Sequence, residues 1–190
     1  MSKLMKAYYE ASCKPALLMF ALALLALVYL NAVDGPYSIV RFKQLHAGLP
    51  LLDLLWNYSP NQVYEMLSGY GEQGRNDYIA NLAVVDILLP ILYGLGMGLL
   101  MACLIRRSVP QLFGLRHLSL LPLVAAIADY GENITIAVML QAYPDRIDTL
   151  AVTANIFTMI KTSVSLVSLG LIVLFTIIAL ITRLLSRSRN

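Results

Sequence analysis

The sequence predicts an all-α, polytopic membrane protein: a four-transmembrane-helix bundle with short amphipathic helices in its first extracytoplasmic loop. Three observations carry that prediction. The chain is 59% hydrophobic and only 13% charged, with a mean hydropathy of +0.72, so it has too few ionisable side chains to cover a soluble globule of its size. Four apolar runs, about 15–33, 78–105, 117–141 and 150–182, approach the ~20 residues a helix needs to cross the hydrocarbon core. Lysine and arginine gather on alternate flanks of those runs. Residues 1–190 are read as a single membrane domain.

The first run is dense in Leu and Ala. It is followed by Asp34-Gly35-Pro36 without a small-residue cleavage pattern, and it reads as a retained helix. The loop 34–77 is too long for a bare connection. Within it Ser59-Pro60-Asn61-Gln62 reads as a capping box with proline at the first helical position. Val63, Met66, Leu67 and Tyr70 then recur at helical spacing, and Gly69 and Gly71 end the segment. Upstream, Leu51, Leu52, Leu54, Leu55 and Trp56 form an apolar patch suited to a membrane interface. The loop is expected to lie over the outer mouth of the bundle.

The second run is broken by Pro90, and its Gly94-x-x-x-Gly98 spacing invites close approach of another helix. Tyr143-Pro144-Asp145 reads as a turn after the third run. The fourth is long enough to tilt or to project past the membrane.

Orientation follows from the short flanks. Lys3, Lys6 and Lys14 precede the first run, Arg106, Arg107 and Arg116 separate the second from the third, and Arg183, Arg187 and Arg189 follow the fourth. The loop 34–77 is richer in acids, and 142–149 holds Asp145, Arg146 and Asp148. Both termini are therefore expected in the cytoplasm of a cell whose inner or plasma membrane holds the protein. Cys13 and Cys103 lie outside the loops assigned to the far side, so no structural disulfide is expected.

Against this apolar background the ionisable residues stand out. Asp129 is three residues from Glu132 and four from Asn133, which puts all three on one helical face. Asn155, Thr158, Lys161, Thr162, Ser165 and Ser168 trace a polar seam on the fourth run. On the second run Asp86, Pro90 and Tyr93 share a face, whereas Asn81 points away from Asp86. At 1.5 Å per residue, Asp86, Glu132 and Lys161 fall roughly 12, 13 and 16 Å below their outer ends, with Asp129 a turn deeper than Glu132. The expectation is one polar slab in the outer half of the bundle. Three acids against one lysine leave an excess of negative charge, to be relieved by a shared proton, by a cation, or by Arg75 folding in from the loop.

Several chemistries are excluded. His46 and His117 lie outside the runs on opposite sides, so neither a bis-histidine haem nor a His/Cys metal site is expected, and no cofactor is implied. There is no H-E-x-x-H, G-x-S-x-G or Walker A pattern, and no basic patch with interleaved aromatics for nucleic acid. In architecture, four spans with a structured first outer loop are similar to claudin-like proteins, whose paired loop cysteines are absent here. A membrane bundle carrying buried acids, here Asp86, Asp129 and Glu132, resembles the sterol-isomerase-like (emopamil-binding) proteins. That resemblance implies acid/base chemistry on an isoprenoid or sterol-like double bond.

The expected function is binding of a small or lipid-like ligand in a polar pocket of the outer half. Asp86, Asp129, Glu132, Asn133, Lys161, Thr158 and Tyr93 are expected to line it, with Tyr78, Arg75 and Asn81 near the mouth. Membrane lipids are the expected partners, with further copies of the chain or a larger membrane complex. The alternatives are a membrane-embedded enzyme acting on a lipid or isoprenoid, a proton- or cation-coupled transporter formed by an oligomer, and a scaffold or assembly subunit.

Overall fold

The structure, a computed structural model, describes residues 3–11 and 13–187. Arg189 and the side chain of Arg187, counted above with the basic tail, lie outside the described residues. The described chain forms seven α-helices: α1 (Lys3–Glu10), α2 (Cys13–Ala32), α3 (Ile39–Leu45), α4 (Pro60–Gly69), α5 (Gly71–Ser108), α6 (Leu121–Ala142) and α7 (Asp148–Arg187). Two 3₁₀ segments, Leu52–Leu54 and Phe113–Leu120, complete the order, and no strand occurs among the described residues. Four helical stretches are long and apolar enough to cross a membrane: Cys13–Ala32, Gly71–Ser108, Gly114–Ala142 and Asp148–Leu185.

α5 is the hub. It packs on α2, α6 and α7, and α6 packs on α7, whereas α2 and α7 scarcely touch. The glycines of α5 make its close contacts. A Cβ at Gly94 would stand 2.8 Å from Ala126 Cβ on α6, and one at Gly96 would stand 2.8 Å from the backbone nitrogen of Phe20 on α2. The close approach expected at Gly94 is therefore real, and Gly96 between the two spaced glycines seats the second neighbour. On the α2 side the buried positions are Ala16, Ala23 and Leu30, a stripe one residue wide repeating every seven.

Two boundaries differ from expectation. Pro90 does not break its helix, and α5 runs continuously through it. A proline inside a helix loses one backbone bond, and the packing of α5 on α2, α6 and α7 carries the helix through it. The stretch expected to close the loop, residues 71–77, is instead the first two turns of α5. Gly71, at φ 65°, makes the corner between α4 and α5. The capping box is present as read: Ser59 Oγ accepts from Gln62 N at 3.3 Å, and Gln62 Oε1 accepts from Ser59 N at 2.8 Å, with Pro60 at the start of α4.

Apolar packing falls into two cores. At the loop end, Phe42, Leu52, Val63, Leu67 and Tyr70 from the loop pack with Tyr78, Ile136, Met139 and Ala154 from the long helices. Phe42, Tyr70 and Tyr78 meet edge to face there, with ring centroids 5.5 to 5.9 Å apart. At the end that gathers α1, the start of α2 and the end of α5, the core is Ala16, Met97, Met101, Ile105, Ile172 and Phe175. The expected apolar patch of the loop is split: Leu51 and Leu52 are buried, while Leu54 and Trp56 are exposed.

The absence of a disulfide is a further expectation that the structure corrects. Cys13 and Cys103 are bonded, with Cα atoms 5.6 Å apart. The two are 90 residues apart in the chain, and antiparallel packing of α2 on α5 brings the start of one beside the end of the other. Arg106 clamps the same corner, donating to the carbonyls of Tyr9 and Ala11, the latter at 2.7 Å.

Candidate functional site

Between the two apolar cores lies a polar layer, built from the middle turns of α5, α6 and α7. Lys161 Nζ is 3.3 Å from Asp129 Oδ1 and in direct contact with Glu132 Oε2. Asp129 also accepts from Tyr93 hydroxyl at 3.0 Å and from Asn133 Nδ2 at 3.4 Å. The Thr158 hydroxyl donates to Glu132 Oε1 and shares a 3.0 Å hydrogen bond with Tyr58 hydroxyl, which reaches in from the loop. Glu132 and Thr158 are fully buried. The helical spacing of Asp129, Glu132 and Asn133 thus delivers one face, and the seam of α7 meets it.

Asp86 faces this layer from α5. It stands close enough for its charge to interact with those of Asp129, Lys161 and Glu132, yet it forms no hydrogen bond or ion pair among the described residues. Asp86, Tyr93, Asp129, Lys161, Thr162 and Ser165 border one cavity of about 320 Å³. Its opposite wall is hydrocarbon, made by Phe20, Ala23, Leu24, Leu27 and Leu30 of α2. Since α2 and α7 scarcely touch, the cavity occupies the gap between them, over the face of α5.

The loop contributes a residue that the sequence reading passed over. Asp53, in the 3₁₀ turn Leu52–Leu54, borders the same cavity. Its Oδ1 accepts from the fully buried Tyr78 hydroxyl at 2.5 Å. Its charge acts on Lys161 and also on Asp86, Asp129 and Glu132. The signal was present: a lone carboxylate inside Leu-Leu-Asp-Leu-Leu-Trp is costly at an interface unless it turns inward to a partner. Burial, and then the charge of Asp53, push the Tyr70 phenol well up, so it remains a neutral donor to Pro50 carbonyl at 2.7 Å.

The remaining expected residues divide. Asn81 borders the cavity at its loop end together with Asp86, despite the angle between them on the helix, and its Nδ2 donates to Tyr37 carbonyl at 3.1 Å. Tyr78 is buried beneath Asp53 and does not line the cavity. Arg75 is not drawn into the layer: it donates to Leu67 carbonyl at 2.9 Å and lies over the Tyr143 ring at 4.2 Å. Of the α7 seam, Asn155 holds the loop, accepting from Tyr58 N at 3.0 Å and donating to Asn57 at 2.8 Å, while Ser168 turns back to Val164 carbonyl. His46, on α3's C-terminal side, pairs with Asp77 at 3.0 Å and ties the loop to α5.

Four carboxyl groups, Asp53, Asp86, Asp129 and Glu132, therefore share a neighbourhood with the ammonium of Lys161. Among the described residues no three acidic, histidine or cysteine side chains converge as a metal site. Comparison of the chain with known protein families, with curated proteins and with solved structures finds no match.

Proposed function

We propose that this chain is a multi-pass membrane protein that binds the polar end of a lipid-like ligand in the cavity between α2 and α7. The observation that carries the reading is the cavity's division, with ionisable groups on one wall and an aliphatic helix on the other. Ligand sites combine a largely apolar lining with a few placed polar groups in this way. Ionisable residues within spans are costly enough that they mark functional sites more often than inert glue.

Membrane placement is supported by the outward faces of the long helices. Leu25, Val28, Leu88, Ile127, Ile134 and Val173 are all exposed, an apolar exterior that water does not tolerate over such an area. The basic residues Lys6, Lys14, Arg106, Arg107, Arg116 and Arg183 flank the end opposite the loop, which favours cytoplasmic termini. With that orientation the polar layer belongs to the outer half, and the gap between α2 and α7 admits a ligand sideways from the lipid.

Mass spectrometry of lipid extracted with the purified protein tests the reading. A stoichiometric lipid-like molecule is expected, lost when Leu27→Trp fills the gap from α2. A protein that carries no such molecule, and whose lipid content ignores Leu27→Trp, overturns it.

A further inference from the structure

We infer that the ligand is a single-chain amphiphile with a positively charged amine, its ammonium paired with Asp86 and its chain laid along α2. The inference rests on the binding reading above and adds the charge and shape of the ligand. It begins with the partners of each acid. Asp129 and Glu132 share Lys161, with Tyr93 and Thr158 completing their hydrogen bonds. Asp53 is held by Tyr78. Asp86 alone of the four borders the cavity without a hydrogen bond or ion pair among the described residues.

The protein's own cations do not remedy this. Lys161 is already shared between two carboxylates, and Arg75 is bound to Leu67 carbonyl and stacked on Tyr143. A metal ion lacks a convergent ligand set among the described residues. A carboxylate at the wall of an apolar cavity stays ionised only beside an opposite charge. The space beside Asp86 is where a ligand's ammonium completes the pairing.

The shape of the cavity sets the rest of the molecule. Its lining runs on α5 from Asn81 to Met97, and the part from Asp86 to Met97 is eleven residues, or about 16 Å of helix. On the α2 side that stretch faces Phe20, Ala23, Leu24 and Leu27, and Met97 and Leu169 add to it past Tyr93. One hydrocarbon wall therefore continues from Asp86 toward the end bearing the termini, opposite Asp129, Lys161, Thr162 and Ser165. At about 320 Å³ the cavity lies at the low end of small-molecule sites, suited to one chain and narrow for a two-chain lipid. A fatty acid would add a further negative charge to a wall that already has an excess. An alcohol would leave Asp86 without its counter-charge.

Photolabelling separates these ligands. The full-length protein in phosphatidylcholine nanodiscs is irradiated with diazirine analogues of hexadecylamine, hexadecanol and palmitate, and labelled residues are mapped by mass spectrometry. The amine is expected to label cavity residues such as Leu27, Leu89 or Leu169 about tenfold more than the alcohol or the acid. Asp86→Asn should bring the amine down to the alcohol's level, and Asp86→Glu should preserve the preference. Thermal unfolding monitors both variants, and if Asp86→Asn does not fold, the amine-to-alcohol ratio on the unaltered protein decides. Equal labelling of the cavity by amine and alcohol overturns the charge pairing while leaving the binding site in place. Labelling that avoids the cavity with all three probes overturns both.

Discussion

Lys161 is the residue on which the polar layer turns, because one ammonium answers the charges of Asp129 and Glu132. Removing one member of a buried ion pair leaves its partner uncompensated, which costs about 3–5 kcal/mol. Lys161→Met is therefore expected to destabilise by about 3 kcal/mol, and adding Glu132→Gln should recover part of that loss. Denaturation of the two single variants and the double variant measures the coupling, and additive effects would reject the pairing. Asp53 makes a second prediction at this scale. Asp53→Leu leaves the buried Tyr78 phenol without its acceptor, an expected loss of about 1–3 kcal/mol. An unchanged melting temperature would show that the loop's carboxylate is not tied to the bundle. Tyr93, Thr158 and Asn133 were legible as polar residues on the right faces. Their partners were not, since hydrogen-bond geometry depends on how neighbouring helices are rotated.

Among the elements, α5 is the most exacting, because two helices lie against its glycines on different faces. Gly96→Val would drive a side chain into the backbone of α2 at Phe20 and should destabilise by about 1–3 kcal/mol. Gly170, on α7, has nothing near its absent side chain, and Gly170→Ala should be neutral or stabilise by about 0.5 kcal/mol. The opposite signs of these two changes, read from thermal unfolding in one detergent, check the packing of α2 on α5. Equal responses would contradict it. The element ends make a separate prediction through Cys13 and Cys103. If the termini face a reducing cytoplasm, the pair should be largely dithiol in intact cells and form its bond on purification in air. Alkylation before lysis followed by mass spectrometry reports the state, and a fully oxidised pair in cells would place that end in an oxidising compartment.

For the whole molecule, two apolar cores enclose a polar layer, and the loop is part of one of them. Tyr58, Leu52, Val63 and Leu67 bury against α5, α6 and α7, so the segment closes the bundle rather than covering it loosely. The proposed membrane placement has an orientation that labelling measures directly. In a background with both native cysteines replaced by serine, Ser59→Cys should react with an impermeant maleimide from outside cells, and Arg107→Cys only after permeabilisation. Both positions are exposed. Labelling of Arg107→Cys from outside would invert the topology and move the polar layer to the inner half.

By itself the sequence determined the helical class, the four long apolar helices, the capping box at Ser59 and the grouping of Asp129, Glu132 and Lys161. These follow from properties that act along the chain: hydropathy summed over a span, a local cap, and the 3.6-residue period that sets a face. Only the tertiary structure decided that α5 passes unbroken through Pro90, that Cys13 meets Cys103, that Arg75 is held at the loop and that Asp53 enters the cavity. Each of those depends on which elements become neighbours and at what rotation. Neighbourhood across 90 residues is settled by packing of side chains and close backbone approach at Gly94 and Gly96, a property of the assembled bundle that no local window of sequence contains.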